Sequence, residues 1–494
     1  MSDGEWDVIV VGAGNAAGCA ALAARESGAS VVMLERAPED EAGGNTRFTA
    51  GAMRVVYDGV EDIQKLVELS DQEIEDTDFG TYTQDQFFDD MFRITQYRTD
   101  PDMAEILVTT SLETLTWMRS KGIRFVPIYG RQAFKIDGKF KFWGGLTVET
   151  NGGGPGLYES LQEITKREGI ETLFETRAMD LIYDGTAVKG VRVKQGDSIK
   201  EFACKAVVMA SGGFQANPEW RTRYLGPGWD LAKIRGTRFN TGDGIRMGTD
   251  IGAATYGNWS GGHAVGWDRN APEFGDLAVG DQFQKHSYPF FVMVNATGKR
   301  FVDEGADFRN YTYAKYGRVI LEQPAQFAWQ VLDSKVAHLK RDEYSIRQVT
   351  KVTADTIEEL AGKLEGVDPD AFLKEIKEYN AAVRQDIDYN PNVKDGRCTE
   401  GLPINKSNWA QTIDTAPFEA YQVTCGLTFT FGGLRINTDG QVMDTDLKPM
   451  KGLYAAGECV GGLFYFNYPG GSGLTAGSTF GKLAGTSAGQ AVTA

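Results

Sequence analysis

The chain has 494 residues, of which 41% are hydrophobic and 24% charged, and its formal net charge is −17. This length and balance indicate a folded globular protein with two domains, or one large domain carrying an insertion, and exclude a disordered chain. The acidic charge argues against a nucleic-acid partner, since binding to phosphates requires a basic face. No apolar run reaches about 18 residues and no basic leader region is present, so we expect a cytoplasmic protein without a membrane segment.

Cysteine and histidine usage gives no sign of a metal or disulfide framework. The five cysteines include no C-x-x-C pair and are odd in number. The three histidines, His263, His286 and His338, are scattered along the chain without metal-ligand spacing. The sequence therefore predicts no metal site, no iron–sulfur cluster and no disulfide.

The first predicted elements form a β-α-β unit. Strand 8–11, helix 15–26 and strand 30–34 follow one another, with the pattern Gly12-x-Gly14-x-x-Ala17 at the first junction. The first glycine permits a tight turn, the second lets pyrophosphate approach the backbone, and the small alanine lets the helix pack on the strand. The helix N-terminus then faces phosphate.

An acidic residue completes this unit. Glu35 ends the second strand about 20 residues after the glycines, where a carboxylate accepts both hydroxyls of an adenosine ribose. A 2′-phosphate is therefore disfavoured. The spacing predicts a dinucleotide of the FAD or NAD type.

Three further glycine-rich stretches favour FAD over NAD. They are GGNTRF (43–48), AVVMASGGF (206–214) and GLYAAGE (452–458). Any one of them could be an ordinary turn, but together they suit a long, extended dinucleotide that crosses several strand ends. We expect cofactor contacts from these stretches, namely from Gly44, Asn45, Thr46, Ser211, Gly212, Gly213, Gly457 and Glu458.

Downstream, the pattern changes repeatedly. Residues 60–150 are polar and predicted to be mainly helical, and residues 171–196 alternate like hairpin strands. FVMVNATGKRFV (291–302) predicts a strand pair around a turn. A capped helix is predicted after Asp368 as N-cap and Pro369 at the first helical position.

Seven motifs resemble one flavoprotein family: GAGNAAG (12–18), GGNT (43–46), ASGGF (210–214), NTGDGI (240–245), VNATGKRFVDEGADFRNY (294–311), GLYAAGE (452–458) and YPGGSGL (468–474). They are similar to those of the fumarate reductases and succinate dehydrogenases, with the soluble 3-ketosteroid dehydrogenases and tricarballylate dehydrogenases, and most similar to the tricarballylate branch. The resemblance spans nearly the whole chain. It implies an α/β fold, with a Rossmann-like FAD-binding domain (1–262 and 401–494) and an inserted α+β capping domain (263–400).

The resemblance also implies further cofactor contacts, from Arg36, Ala178, Asp243, Ser472 and Leu474. No histidine adjoins GGNT, where respiratory members of the family carry a covalent histidyl link. We therefore expect FAD to be bound non-covalently.

Four residues are assigned to the substrate by the same resemblance. Tyr468 stands where fumarate reductases carry an arginine that clamps a dicarboxylate, whereas 3-ketosteroid and tricarballylate dehydrogenases resemble this chain there. His263 lies where the family places a substrate-binding histidine, and a satisfied interior histidine is the alternative. Arg309 is expected to transfer a proton or bind a carboxylate, although Phe308 is its strict equivalent in register; an ion-paired arginine is the alternative. Tyr313 is a further candidate.

The predicted function is an FAD-dependent dehydrogenase that desaturates a C–C bond α,β to a carboxylate or carbonyl. The resemblance implies a small polycarboxylate such as tricarballylate as substrate, with a separate electron acceptor. A 3-ketosteroid Δ1-dehydrogenase and a fumarate reductase-like enzyme are alternatives. A flavin-loaded binding or assembly subunit without turnover is an alternative of another class.

Overall fold

A computed structural model of the chain describes residues 4–493. In chain order its β-strands are β1 (Gly4–Val11), β2 (Val31–Leu34), β3 (Ala52–Met53), β4 (Thr77–Asp78), β5 (Phe125–Pro127), β6 (Ala133–Ile136), β7 (Lys139–Phe142), β8 (Val148–Thr150), β9 (Glu171–Leu173), β10 (Thr176–Tyr183), β11 (Val188–Gln195), β12 (Ser198–Met209), β13 (Lys233–Ile234), β14 (Thr255–Asp268), β15 (Val292–Asn295), β16 (Ala328–Leu332), β17 (Lys351–Ala354), β18 (Phe418–Leu434), β19 (Gln441–Met443) and β20 (Pro449–Ala455). Its α-helices are α1 (Asn15–Glu26), α2 (Val60–Gln64), α3 (Asp71–Asp76), α4 (Gln84–Ile94), α5 (Pro101–Lys121), α6 (Tyr129–Gln132), α7 (Gly153–Arg167), α8 (Pro218–Trp220), α9 (Asp243–Asp250), α10 (Tyr313–Leu321), α11 (Ile357–Lys363), α12 (Pro369–Ala382) and α13 (Ser472–Thr493).

The first sheet contains the predicted β-α-β unit. Its strand order is β10-β11-β12-β1-β2-β9, and β20 pairs with the C-terminal part of β12. β1 is parallel to both β2 and β12, and β12 is parallel to β20. The carboxyl ends of β1, β12 and β20 therefore meet at one edge of the sheet. This confirms the predicted α/β fold class, and α1 has the predicted bounds.

Helices α1 and α13 pack together next to this sheet through small residues. A Cβ added at Gly485 would lie 2.1 Å from the carbonyl oxygen of Ala20, and one at Gly481 would lie 2.5 Å from that of Ala16. The two backbones therefore lie so close together that these two positions have no room for a residue larger than glycine. Because the helices are held at this distance, the start of α13 lies beside the start of α1.

A second sheet lies along the central strand β18. The strand order is β13-β18-β16-β15, and β14 and β17 also pair with β18. These strands span residues 233–434, and β14 runs across the predicted boundary at residue 263. The predicted domain boundaries at 263 and 400 therefore do not coincide with the ends of this sheet, and the division into domains stays a prediction.

The helix predicted after Asp368 is confirmed as α12. The Asp368 side chain accepts from the backbone N–H of Ala371 at 3.0 Å, and Pro369 is the first helical residue. Phe372, Ile376 and Tyr379 are buried on one face. The predicted strand pair at 291–302 is β15 followed by a bridge between Val294 and Arg300.

The prediction of a mainly helical segment at 60–150 was only partly right. Helices α2 to α5 occupy 60–121, but β5 to β8 lie between 125 and 150. β6 and β7 form a hairpin around Asp137 and Gly138, which have φ of 50° and 82°. An Asp-Gly pair between alternating residues is a strong hairpin signal, and it outweighs the polar composition. Within residues 4–493, no helix has both the length and the apolar character needed to cross a bilayer.

We predict that Gly485→Ala lowers the free energy of unfolding by about 1–3 kcal/mol, because the new methyl group overlaps the Ala20 carbonyl. Gly362→Ala in α11 is the matched control, since a Cβ there meets open space and a helical alanine is favoured by up to about 1 kcal/mol. Urea titrations followed by circular dichroism measure both changes. Equal effects of the two substitutions would contradict the close approach of α1 and α13.

Candidate active site

One long cavity opens where the carboxyl ends of β1, β12 and β20 face the second sheet. Glu35, Arg36 and Ala178 line one end. His286 and Arg309 line the other. Ligands of α/β sheets bind at this edge of the strands, so the cavity is the candidate active site.

The junction of β1 and α1 forms a site for an anion. Gly12 has a φ of +115°, and a Cβ there would lie 2.4 Å from the carbonyl oxygen of Ala210. Gly14 caps α1 without a side-chain hydrogen bond, and Asn15 N–H donates to Thr46 Oγ1 at 2.9 Å. Gly14, Asn15 and Ala16 line the cavity, and a helix N-terminus at this position favours a bound phosphate.

An acidic and basic network closes the Glu35 end. Oε1 of Glu35 accepts from the backbone N–H of Ala37 at 2.9 Å, and burial raises the pKa of this carboxyl. Asp243 joins Arg36 (3.1 Å) to Arg177 (2.9 Å). The network holds together the end of β2, the start of α9 and the start of β10.

The middle of the cavity is bridged by polar side chains from both sheets. Asn45 accepts from the backbone N–H of Thr237 at 3.0 Å and donates to the carbonyl of Thr428. Glu458 accepts from the backbone N–H of Thr430 at 2.9 Å. Burial raises the pKa of Glu458 to about 7. These contacts fix the first sheet against the second.

Most of the predicted cofactor residues line this cavity: Gly12, Gly14, Glu35, Arg36, Gly44, Asn45, Thr46, Ala178, Ser211, Gly212, Asp243, Gly457, Glu458 and Leu474. Ala17, Gly213 and Ser472 lie outside the lining. Ala17 is fully buried within α1, in agreement with its assigned packing role. A Cβ at Gly213 would lie 2.3 Å from Glu458 Oε1, so Gly213 makes room for that carboxyl. The Ser472 side chain is buried at the first residue of α13.

At the other end, Tyr468 lies in an aromatic box. Its ring centroid is 4.6 Å from that of His263 and 5.3 Å from those of Phe429 and Phe464. Its hydroxyl is hydrogen-bonded to that of Tyr313. Burial raises the pKa of both phenols. The two hydroxyls share one hydrogen bond, in which either of them can donate.

The glycines after Tyr468 let this segment pack against its neighbours. Gly470 N–H donates to the carbonyl of Asn310 at 2.7 Å, and buried Arg54 donates to the carbonyl of Gly470 at 2.9 Å. Gly471 has a φ of +82°, and a Cβ there would lie 2.3 Å from Leu146. The phenol is thus held beside the segment that carries Arg309.

His263 is buried and lacks hydrogen-bond partners. It is 2% exposed, and neither ring nitrogen has a partner within residues 4–493. Register shifts between β14 and β18 flank its position opposite Phe429. Burial, and then Arg235, hold its pKa well below the ordinary value. Because its nitrogens are unmatched, the alternative of a satisfied interior histidine is not supported.

Arg309 contacts no carboxylate. Its Nη1 lies 3.3 Å from Nδ1 of His286, and its Nη2 donates to the carbonyl of Arg131 at 2.9 Å. No ion pair involves it among the described residues, so the alternative of an ion-paired arginine is also not supported. Burial lowers its pKa. Arg309 lines the cavity, and the buried carboxylate of Glu343 acts on its guanidinium only from beyond ion-pair distance.

The charged side chains that line this end are all arginines. Arg131 forms a bidentate pair with Asp281 (2.9 and 3.1 Å), and Arg235 lies 3.7 Å from the same carboxylate. Asp281 itself lies behind them, outside the lining. The sequence analysis predicted that Arg309 contacts the substrate. It assigned no role to Arg131 or His286, because neither residue lies in a recognised motif. Within the described chain no cluster of three His, Cys, Asp or Glu residues could hold a metal ion.

Comparisons with known proteins show the family to which the chain belongs. The profile of the FAD binding domain family matches residues 7–474. A probable fumarate reductase, Ifc3, of Shewanella frigidimarina is 29% identical over 97% of this chain and 74% of its own. An NADH:fumarate oxidoreductase of Klebsiella pneumoniae is 30% identical over 97% of this chain, which spans 47% of that protein.

A solved structure of a protein with a different substrate has a similar fold. The 3-ketosteroid Δ1-dehydrogenase of Sterolibacterium denitrificans, solved with 1,4-androstadiene-3,17-dione, matches with a TM-score of 0.75 and 20% identity over 99% of this chain and 100% of its own. This likeness concerns the fold alone. A position nearest the tricarballylate branch stays a prediction.

We predict that the buried Glu458 carboxyl makes the cofactor-free protein less stable as the pH rises. The pKa of this carboxyl is about 7 in the folded protein and near 4.5 in the unfolded chain. Its contribution to the free energy of unfolding is therefore fully present below about pH 4.5 and is lost as the pH rises through 7. Glu458→Gln removes this dependence, which is worth up to roughly 3 kcal/mol. Denaturant titrations at pH 5 and pH 8 measure it.

The control for this experiment is Glu159→Gln, which changes an exposed carboxylate on α7. It is expected to keep the pH dependence of the unmodified protein. If Glu458→Gln and the unmodified protein lose equal stability between the two pH values, the buried carboxyl is not the cause.

Proposed function

The chain belongs to the FAD binding domain family and is an FAD-dependent oxidoreductase, and from this premise we propose that it desaturates a small polycarboxylate such as tricarballylate. The bond oxidised is the C–C bond α,β to a carboxylate. The single observation that carries the proposal is the arginine-lined end of the cavity beside Tyr468.

The residues present fit FAD. The uncapped first turn of α1 offers amides to a pyrophosphate, and Glu35 offers a carboxylate to a ribose at the adjacent strand end. Gly473 and Leu474, in the first turn of α13, also line the cavity, so a second helix N-terminus is available for electron-rich atoms. We propose that FAD is bound non-covalently, with its ring system beside Tyr468.

Electrostatics support an anionic substrate. A buried guanidinium without a counter-charge is costly, and a ligand carboxylate removes this cost. Arg309 has no such partner, and Arg131 and Arg235 share Asp281. The neutral His263 adds an unmatched polar group. A polycarboxylate supplies several acceptors for these groups, whereas a steroid supplies none along most of its length.

When bound, FAD supplies an acceptor for the hydride that leaves one carbon of the substrate. The residues of this chain act on the neighbouring carbon. Arg309 or Tyr468, in its deprotonated form, takes the proton that leaves this carbon, since both reach the cavity at this end. His263 and Arg235 hold the carboxylate oxygen on which negative charge develops as the proton leaves. The shared Tyr313–Tyr468 hydrogen bond orients the phenol.

Turnover then requires a separate electron acceptor, which we propose to be another protein or a small carrier. The similar proteins of Shewanella frigidimarina and Klebsiella pneumoniae are named for fumarate reduction. The same residues serve both directions, because proton and hydride retrace their paths in the reverse reaction. Tyr468 stands where fumarate reductases carry a clamping arginine, so we propose a substrate other than fumarate.

We predict that tricarballylate bleaches the flavin absorbance of the FAD-loaded protein under anaerobic conditions. Succinate and a 3-ketosteroid are the matched alternatives in the same screen. Bleaching by the steroid alone would replace the proposal with ketosteroid dehydrogenation. If none of the three bleaches the absorbance and fumarate does not reoxidise chemically reduced protein, an FAD-loaded binding subunit becomes the better account.

We predict that Arg309→Gln slows anaerobic flavin reduction at least 100-fold while FAD stays bound, since proton transfer by a positioned group contributes about 10²–10⁴-fold. Tyr468→Phe tests the other candidate in the same way. The control is Arg318→Gln, which removes a surface arginine paired with Glu322. Stopped-flow spectroscopy measures the rate and its dependence on substrate concentration. An unchanged limiting rate for Arg309→Gln would remove Arg309 from proton transfer.

A further inference from the structure

His286 is a buried residue that belongs to none of the recognised motifs. It lies between β14 and β15, is 2% exposed, and lines the arginine-rich end of the cavity. It also borders a small neighbouring cavity walled by Phe134, Trp143, Phe308, Arg341 and Trp409. The mechanism above does not use it.

The contacts of His286 determine which nitrogen carries its proton. Nδ1 lies 3.3 Å from Nη1 of Arg309. A guanidinium has donors only, so Nδ1 must accept this hydrogen bond. The neutral ring then carries its proton on Nε2. Burial and the neighbouring Arg309, Arg235 and Arg131 hold the pKa of His286 well below its ordinary value, which keeps the ring neutral.

The Nε2–H donor is unmatched. It is buried and has no partner within residues 4–493. The Glu343 carboxylate does not pair with this ring nitrogen. It accepts a hydrogen bond from the backbone N–H of His286 at 3.4 Å and lies outside the cavity lining. An unpaired buried donor is unfavourable. Since Arg309 beside it has no ion-pair partner among the described residues, the complementary group is an anionic hydrogen-bond acceptor.

His286 is separated from His263 by Tyr313. The centroid of the Tyr313 ring lies 4.9 Å from that of His263 and 4.8 Å from that of His286, and both contacts are edge-on. No ring contact joins the two imidazoles in the described part of the chain. The cavity therefore has two imidazoles with unpaired ring nitrogens, both of His263 and Nε2 of His286, at two separate places.

We propose that His286 and Arg309 form a second carboxylate-binding subsite, distinct from the one formed by His263 and Arg235. This rests on the proposed function and deepens it. A substrate that fills both subsites carries at least two carboxylates. The enzyme thus selects a di- or tricarboxylate over a monocarboxylate by a neutral imidazole that donates from Nε2.

The first experiment observes the imidazoles directly. The chain has only three histidines, so ¹⁵N-histidine NMR of the FAD-loaded protein resolves each, with His263→Phe and His338→Gln for assignment. We expect His286 in the Nε2–H form throughout pH 5.5–8, about the range where an unperturbed histidine titrates. A proton on Nδ1, or protonation of both nitrogens in this range, overturns the proposal.

The second experiment measures ligand binding by calorimetry. The probe is citrate, which differs from tricarballylate in carrying a hydroxyl group instead of a hydrogen on its central carbon. Citrate therefore has no hydrogen on that carbon to lose and cannot be desaturated. We expect His286→Phe, which keeps a ring but loses the donor, to weaken citrate binding about tenfold, the effect of losing one such hydrogen bond. Binding of butyrate, which has one carboxylate, changes less than about twofold because His263 and Arg235 hold it.

Two variants keep this test interpretable. His286→Gln places an amide N–H near the position of Nε2 and is expected to keep citrate binding within about threefold of the unmodified protein. If His286→Phe loses FAD, His286→Gln still tests whether a donor at this position is sufficient. The exposed His338→Gln leaves binding unchanged. Equal weakening for citrate and butyrate, or no weakening for either, overturns the subsite.

These outcomes are separate from those of the proposed function. Citrate binding and the imidazole spectra do not depend on flavin reduction. If no acid bleaches the flavin but His286 behaves as described, the subsite stands and desaturation is wrong. If tricarballylate bleaches the flavin and His286→Phe leaves citrate binding intact, desaturation stands and the subsite is wrong.

Discussion

The close contact between α1 and α13 is the constraint on which the site depends. Both helices meet through backbone and small side chains, so their N-termini lie side by side at the edge where β1, β12 and β20 end. The N-terminus of α1 faces the expected pyrophosphate, and α13 begins at Ser472, four residues after Tyr468. A larger residue at Gly485 would separate the helices and move the phenol away from the phosphate site. The contact therefore joins cofactor binding to the chemistry at the far end of the cavity.

The two ends of the cavity differ in charge. At the ribose end, Asp243 pairs with both Arg36 and Arg177, and Glu35 adds a second carboxyl group, so acidic and basic groups are equal in number. At the other end Asp281 lies behind the arginines, and the charged groups of the lining are positive. Two neutral imidazoles add donors without further charge. This end, next to the phenol and Arg309, is therefore the more favourable one for an anionic substrate.

Much of the cofactor half could be predicted from sequence because its signals are local. The glycines at residues 12 and 14, the following helix and Glu35 belong to one continuous β-α-β unit, and their spacing carries the prediction. The hairpin at 133–142 had a local signal too, its Asp-Gly turn, but the surrounding polar composition obscured it. Gly213 was assigned to the cofactor by proximity in sequence, yet its missing Cβ makes room for Glu458.

By itself the sequence determined the fold class, the dinucleotide motif and the segment that carries Tyr468, because turns, periodicity and glycine positions act over a few residues. Only the tertiary structure decided which arginines line the cavity, since Arg235 and Arg309 do so while Arg47, Arg54 and Arg238 do not. It also decided that His286 meets Arg309 and that Tyr313 separates it from His263. Contacts between residues far apart in the chain depend on how sheets and helices pack, and no local pattern records that packing.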